Sequence, residues 1–226
     1  MGMKCGVVIA AGGSGTRFGA SVPKQFVDVC GIPVIAHTIR KFQASDYVDE
    51  IVIVTHKDYV VFCNDVAKEF NFTKVTTIIE GGYDRQESVF KGLKAAKSEY
   101  ILIHDAARPM VSTDDIDNCC RSLMEYDCCS LGSRVVDTLK ISEDGQFIEG
   151  TLDRSKIWSI QTPQCFKRDI ILKCHKNAVF DKFIATDDCM LAEKYGYKIK
   201  LIEAQSNNLK ITNQRDLSIA EVLLNV

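Results

Sequence analysis

At 226 residues, 46% of them hydrophobic, the chain is long enough to bury one sizeable core and falls in the range where an α/β fold stays a single domain. A formal net charge of −2 argues against a nucleic-acid binder, which needs broad basic patches, so any phosphate ligand must be met locally. The apolar runs fall far short of the roughly 18 residues of a membrane span, and no signal-peptide core is expected at the N-terminus, so the expectation is a cytoplasmic protein away from membranes.

The predicted elements begin with Val7, Val8 and Ile9, a β-branched run that reads as a buried strand and leads into a glycine-rich turn ending at Gly19. Gly12, Gly13 and Gly15 let successive amides turn toward anionic oxygens, while Arg17 and Lys24 supply the full positive charges that amides lack. A P-loop is excluded because no Gly-x4-Gly-Lys-Ser/Thr occurs, and a dinucleotide fingerprint fails at Phe18, where its third glycine belongs. Helical spacing follows over 33–42, a buried strand over 51–54, a helix over 60–70, a strand over 76–79, a helix over 85–96 and a strand over 100–103. This alternation predicts a mostly parallel sheet covered on both faces, whose ligands bind beyond the carboxyl ends of the strands.

Two further turns lie at such ends. In Gly81-Gly-Tyr-Asp-Arg-Gln-Glu-Ser88 the glycines let a flat ring approach the backbone, and Ser88 offers a hydrogen bond; a capped helix start is the alternative reading. In His104-Asp-Ala-Ala-Arg-Pro109, Asp105 suits a Mg²⁺ held against triphosphate oxygens, or a plain helix cap. Arg108 suits either a substrate phosphate or a bridge to a nearby acid. Residues 136–158 break the rhythm. The segments 135–141 and 147–152 around Asp144-Gly145 predict a β-hairpin arm. A strand over 158–166, a helix over 170–179, a helix start at Thr186-Asp-Asp188 and a final helix over 216–224 complete the chain.

The ten cysteines show no Cys-x-x-Cys spacing and read as small buried hydrophobes of a reducing compartment. The four histidines are too scattered to form a metal site, and only His104 lies beside a motif.

The run Ala10-Ala-Gly-Gly-x-Gly-Thr-Arg17 with Pro23-Lys-Gln25 resembles the signature of nucleotidyltransferases that join a nucleoside triphosphate to a sugar or polyol phosphate. Adding Gly81-Gly-x-x-Arg-x-x-Ser88, His104 to Pro109, Asp137-Thr138, Gln161-Thr-Pro-Gln164, Thr186-Asp187 and Asn208-Leu-Lys-Ile-Thr212, nearly the whole chain resembles the 2-C-methyl-D-erythritol 4-phosphate cytidylyltransferase family. The resemblance implies one Rossmann-like domain of the nucleotide-diphospho-sugar transferase type, acting on CTP and a polyol phosphate with Mg²⁺ or another divalent cation. It assigns Arg17, Lys24 and Lys210 to catalysis, and Ala10, Ala11, Gly12, Gly13, Gly15, Thr16, Gly81, Gly82, Asp84, Arg85, Ser88 and Ala106 to the nucleotide. It assigns Asp105 to the metal, and Asp105, Arg108, Thr138, Arg154, Thr162 and Thr186 to the substrate. It also implies a homodimer interlocked through the arm, with Thr138 and Arg154 reaching into the partner's site. Ribitol-5-phosphate cytidylyltransferases, sugar-1-phosphate nucleotidyltransferases and a non-catalytic nucleotide binder are the competing readings.

Overall fold

The computed structural model describes residues 3–13 and 22–224. Its centre is a seven-stranded sheet built outward from β1 (Cys5–Ala11), which pairs in parallel with β4 (Val48–Thr55) on one side and β6 (Tyr100–Asp105) on the other. Between β1 and β4 lie a two-stranded ribbon of β2 (Asp28–Val29) and β3 (Ile32–Pro33), then α1 (Val34–Ala44). After β4 come α2 (Val60–Glu69), β5 (Val75–Glu80) and α3 (Arg85–Ala95), and after β6 come α4 (Thr113–Ser122) and β7 (Cys128–Arg134). The arm carries β8 (Lys140–Ile141) and β9 (Gly150–Thr151). The chain then returns as β10 (Trp158–Lys167) and ends with α5 (Arg168–Asp181), α6 (Asp188–Lys194), β11 (Lys200–Glu203) and α7 (Gln214–Leu224).

The strand order is β11-β7-β10-β6-β1-β4-β5. Only β10 runs antiparallel to its neighbours, so the predicted mostly parallel sheet is what forms. Alternation along the strands sorts the core onto two faces. Val7, Ile9, Ile51, Ile53 and Leu102 pack with Ile35, Ile39 and Phe42 of α1, while Val8, Val52, Val54, Ile101 and Ile103 meet Val89 and Leu93 of α3 on the opposite side. At Gly92 of α3 the sheet comes so close that an added Cβ would lie 2.5 Å from Val8 Cγ1. A third, smaller cluster joins Val29, Val34 and Ala107 to Ile211 and Ala220, and thereby docks the C-terminal segment against the end of β6.

Helix and strand positions follow the periodicity, with corrections at several ends. Helix α5 extends two residues beyond the expected 170–179 at each end, and α7 begins at Gln214, with the Asn213 side chain accepting from the amides of Arg215 and Asp216. Strands β7 and β11 and helix α4 had no counterpart in the reading by period. In β7 the sequence Cys-Cys-Ser-Leu-Gly-Ser-Arg has little β-branching, and buried Cys128 and Cys129 take the place of Val or Ile. The hairpin is far shorter than expected: only Lys140 with Thr151 and Ile141 with Gly150 pair as strands. Asp144 holds the tip by accepting from the amides of Gln146 and Phe147, and Gly145 takes a φ of 71°.

Candidate active site

The chemistry sits where the carboxyl ends of β1 and β6 meet, the crevice position expected of an open α/β sheet. Ala10 lies in register with Asp105, and the Ala106 amide donates to the Ala10 carbonyl at 3.1 Å. A cavity of about 510 Å³ opens there. Its lining brings together Ala10, Gly12, Gly13, Lys24, Gly82, Asp84, Arg85, Ser88, Asp105, Ala106 and Lys210, eleven residues that the sequence assigned to the site from five separate stretches. Gly15, Thr16 and Arg17 lie outside the described residues.

The glycine turn is held from behind by Gln25. Its Nε2 donates to the carbonyls of Ala11 at 2.6 Å and Gly13 at 3.0 Å, and the side chain is buried. The next residue, Phe26, stacks on Tyr59 with ring centroids 4.2 Å apart, so Lys24 projects from a 3-10 turn pinned on its C-terminal side. Sequence reasoning quoted Gln25 within its motif but gave it no role. His56, Tyr83, Ala107 and Thr212, none of them assigned to a ligand from the sequence, complete the lining.

The Gly81-Gly82 turn is built by α3. Asp84 caps the helix, accepting from the Glu87 amide at 2.7 Å, and Glu87 reaches back to the Tyr83 amide at 2.8 Å. The Ser88 hydroxyl donates to the Asp84 carbonyl and accepts from the Gly82 amide at 2.9 Å. The capped-helix reading of this turn holds, and Gly82, Asp84, Arg85 and Ser88 also line the cavity. Gly81 stands behind the wall, and an added Cβ there would meet Ser88 Oγ at 2.7 Å.

Asp105 is the electrostatic centre. Lys210 Nζ is 2.7 Å from its Oδ2, Arg108 Nε is 3.7 Å from the same oxygen, and Arg85 Nε is 3.4 Å from Oδ1. Burial alone would raise its carboxyl pKa, but Arg85, Lys210 and Arg108 together outweigh that and hold it well below the usual carboxylate range. Arg108 thus bridges an acid, the second of its two readings, and its Nη1 donates to the Asn208 carbonyl at 2.7 Å. That bond, with the Asn208 side chain donating to the Thr162 carbonyl, locks in place the segment that carries Lys210.

Thr162 needs correction as a ligand-facing residue. It is buried, at a register shift in β10, and its Oγ1 accepts from the Asp105 amide at 3.1 Å. That oxygen is also 3.1 Å from Nδ1 of His104, whose Nε2 is 3.2 Å from the Arg108 carbonyl. Only one tautomer satisfies every partner: Nε2 carries the proton and donates to the carbonyl, and Nδ1 accepts from the threonine. Burial lowers the His104 pKa to about 4, so the ring is neutral and supports Asp105 from beneath.

The helix start at α6 is also shifted by one residue: Asp187, not Thr186, is the cap, accepting from the Met190 amide at 2.8 Å. Thr186 is exposed and does not line the cavity, nor do Thr138 and Arg154 on the arm. Ala11 is buried beneath the turn, its carbonyl occupied by Gln25. All ten cysteines are free and nine are buried. Among the described residues no helix is long and apolar enough to cross a membrane, and no group of three or more His, Cys, Asp or Glu side chains is arranged to hold a metal.

A family model described as IspD, 2-C-methyl-D-erythritol 4-phosphate cytidylyltransferase, matches residues 5–226. The curated protein of that name from Clostridium acetobutylicum is 44% identical over 224 residues, covering 98% of this chain and 97% of the relative. Its counterpart from Clostridium novyi is 42% identical over 226 residues, covering 99% and 97%. Among solved structures, the 4-diphosphocytidyl-2C-methyl-D-erythritol synthase of Anaerococcus prevotii is similar with a TM-score of 0.86 and 28% identity, covering 99% of both chains.

Proposed function

The chain belongs to the 2-C-methyl-D-erythritol 4-phosphate cytidylyltransferase family, and from that premise we propose how its cavity joins CTP to 2-C-methyl-D-erythritol 4-phosphate. The products are 4-diphosphocytidyl-2-C-methyl-D-erythritol and pyrophosphate. The family match favours this acceptor over ribitol phosphate, and an enzyme over a non-catalytic binder.

The observation that carries the mechanism is the convergence of Lys24, Arg85 and Lys210 on a cavity walled by Gly12 and Gly13. An acceptor phosphate oxygen attacks the α-phosphorus of CTP in line as pyrophosphate leaves. A phosphate monoester is already a competent nucleophile near neutral pH, so the protein's work is positioning and charge stabilisation. Lys24, with Arg17 from the glycine turn, neutralises charge around the α-phosphate. Lys210 moves between Asp105 and the phosphates, a short displacement for a flexible ammonium.

A Mg²⁺ ion binds through one or two carboxylates and takes its remaining ligands from phosphate and water, so Asp105, which lines the cavity together with Gly12 and Gly13, would suit such an ion. Held at Asp105, it would supply positive charge to the triphosphate oxygens. We place the enzyme in the cytoplasm, because ten unpaired cysteines suit a reducing compartment. We also propose a homodimer, since Thr138 and Arg154 lie on an arm away from their own cavity and Phe147 and Ile148 at its tip are exposed.

Lys24 offers the direct test. Lys24→Ala is expected to lose turnover by about 10²-fold or more while folding normally, the effect of one missing preorganised charge. Near-normal pyrophosphate release by the variant would remove Lys24 from this role.

A further inference from the structure

Behind Arg85 the wall of the cavity continues into a buried pair, Asp188 and His175, that the reaction as described does not use. Arg85 is its link: Nε faces Asp105 at 3.4 Å, and Nη1 donates to Asp188 Oδ2 at 2.8 Å. Asp188 is 1% exposed and does not line the cavity. Its other oxygen lies 3.1 Å from Nε2 of His175, which is equally buried. Both residues are clamped from elsewhere. Gln164 accepts from the amides of Asp188 and Cys189, and the His175 ring lies flat against Phe90 of α3, 5.5 Å away and inclined by 6°. Burial would raise the Asp188 carboxyl pKa, but Arg85 and His175 outweigh it, so the group stays ionised.

A buried carboxylate is costly unless it is paired, and this one makes the shorter of Arg85's two acidic contacts while facing away from the ligand. On the cavity side the pull on Arg85 changes whenever a phosphate draws Lys210 from Asp105. On the Asp188 side it does not change. A planar guanidinium gripped at both edges keeps its plane. We infer that Asp188, oriented by His175, is a positioning residue that fixes the Arg85 guanidinium in the wall of the nucleotide cavity throughout the reaction. The inference rests on the cytidylyltransferase reading and adds two residues that act through Arg85 without touching the ligand.

The test is a double-mutant cycle on pyrophosphate release with CTP, Mg²⁺ and 2-C-methyl-D-erythritol 4-phosphate, run on the wild type, Asp188→Asn, Arg85→Gln and the double variant. Asp188→Asn is expected to raise KM for CTP about tenfold with kcat changed by less than about threefold, and to add less than about twofold once Arg85 is gone. A folded Asp188→Asn protein with wild-type KM for CTP, or one with the same penalty in both backgrounds, overturns the inference. Should that variant not fold, His175→Gln, which keeps the carboxylate, takes its place in the cycle. Its expected rise of about threefold in KM disappears in the Arg85→Gln background, and the absence of that pattern likewise overturns the inference. A wild type inactive with CTP would instead overturn the underlying reading of the reaction.

Discussion

Gln25 shows how much of the site depends on a side chain that never needs to meet substrate. It is 3% exposed, and among the described residues its side chain donates to the carbonyls of Ala11 and Gly13 at the start of the glycine turn. Gln25→Ala removes the buried donor shared by the carbonyls of Ala11 and Gly13, with only the Thr55 hydroxyl at 3.4 Å remaining on Ala11 among the described residues. The expected cost is about 1–2 kcal/mol of stability, with kcat/KM for CTP down about tenfold as the turn loosens. Thermal unfolding and steady-state kinetics check this, and unchanged kinetics would reduce Gln25 to a packing residue. At this scale the sequence was legible where a motif is local. Gly12, Gly13, Asp105 and Lys210 were readable because their neighbours in the chain carry the pattern. Thr162, Asp188 and His175 were not, since their meaning depends on partners from other elements: Asp188 meets Arg85 across 103 positions. The Thr162 hydroxyl faces inward because a register shift in β10 turns it toward Asp105, and no periodicity announces that.

At the scale of the element, the arm carries the prediction that belongs to the proposed homodimer. Val136, Ile141, Phe147 and Ile148 are exposed, and only two residue pairs hold its strands together. A two-stranded ribbon this short is marginal on its own and gains most from a second surface. We expect the protein to sediment at twice its 25.2 kDa chain mass, and Phe147→Asp with Ile148→Asp to return it to one chain with loss of activity. An active wild-type monomer would contradict the proposed role of the arm. The hairpin itself was legible from Asp144-Gly145, but the length of its ladder was not, because alternation does not show which residues find a partner strand. Strand β7 escaped for another reason: cysteines fill the places where a β-branched run would have marked it.

The whole molecule places β6 at the middle of the sheet with β1 beside it, and brings the ends of both strands to one crevice. The succession of strands and helices announced that architecture, but the reversed β10 between β6 and β7 is a matter of long-range pairing that alternation does not record. Beneath the crevice, His104 ties stability to pH. Its folded pKa, lowered by burial from 6.5 to about 4, means that the unfolded chain binds the extra proton first as pH falls. The stabilisation is therefore complete above about pH 6.5 and lost as pH falls toward about 4, amounting to about 3 kcal/mol over that window. The depressed carboxyl of Asp105 adds a loss at lower pH, below the ordinary carboxylate value of about 3.9. The thermal midpoint should fall across the histidine window, with a shallower slope in His104→Gln; equal slopes would contradict this assignment.

Transfer of a cytidylyl group to methylerythritol phosphate in this cavity is open to one decisive comparison. Pyrophosphate release is measured with CTP and Mg²⁺, using 2-C-methyl-D-erythritol 4-phosphate or ribitol 5-phosphate at equal concentration, and is repeated with UTP in place of CTP. Strong preference for methylerythritol phosphate and for CTP is expected. Preference for ribitol phosphate, or no release with either acceptor, would contradict it.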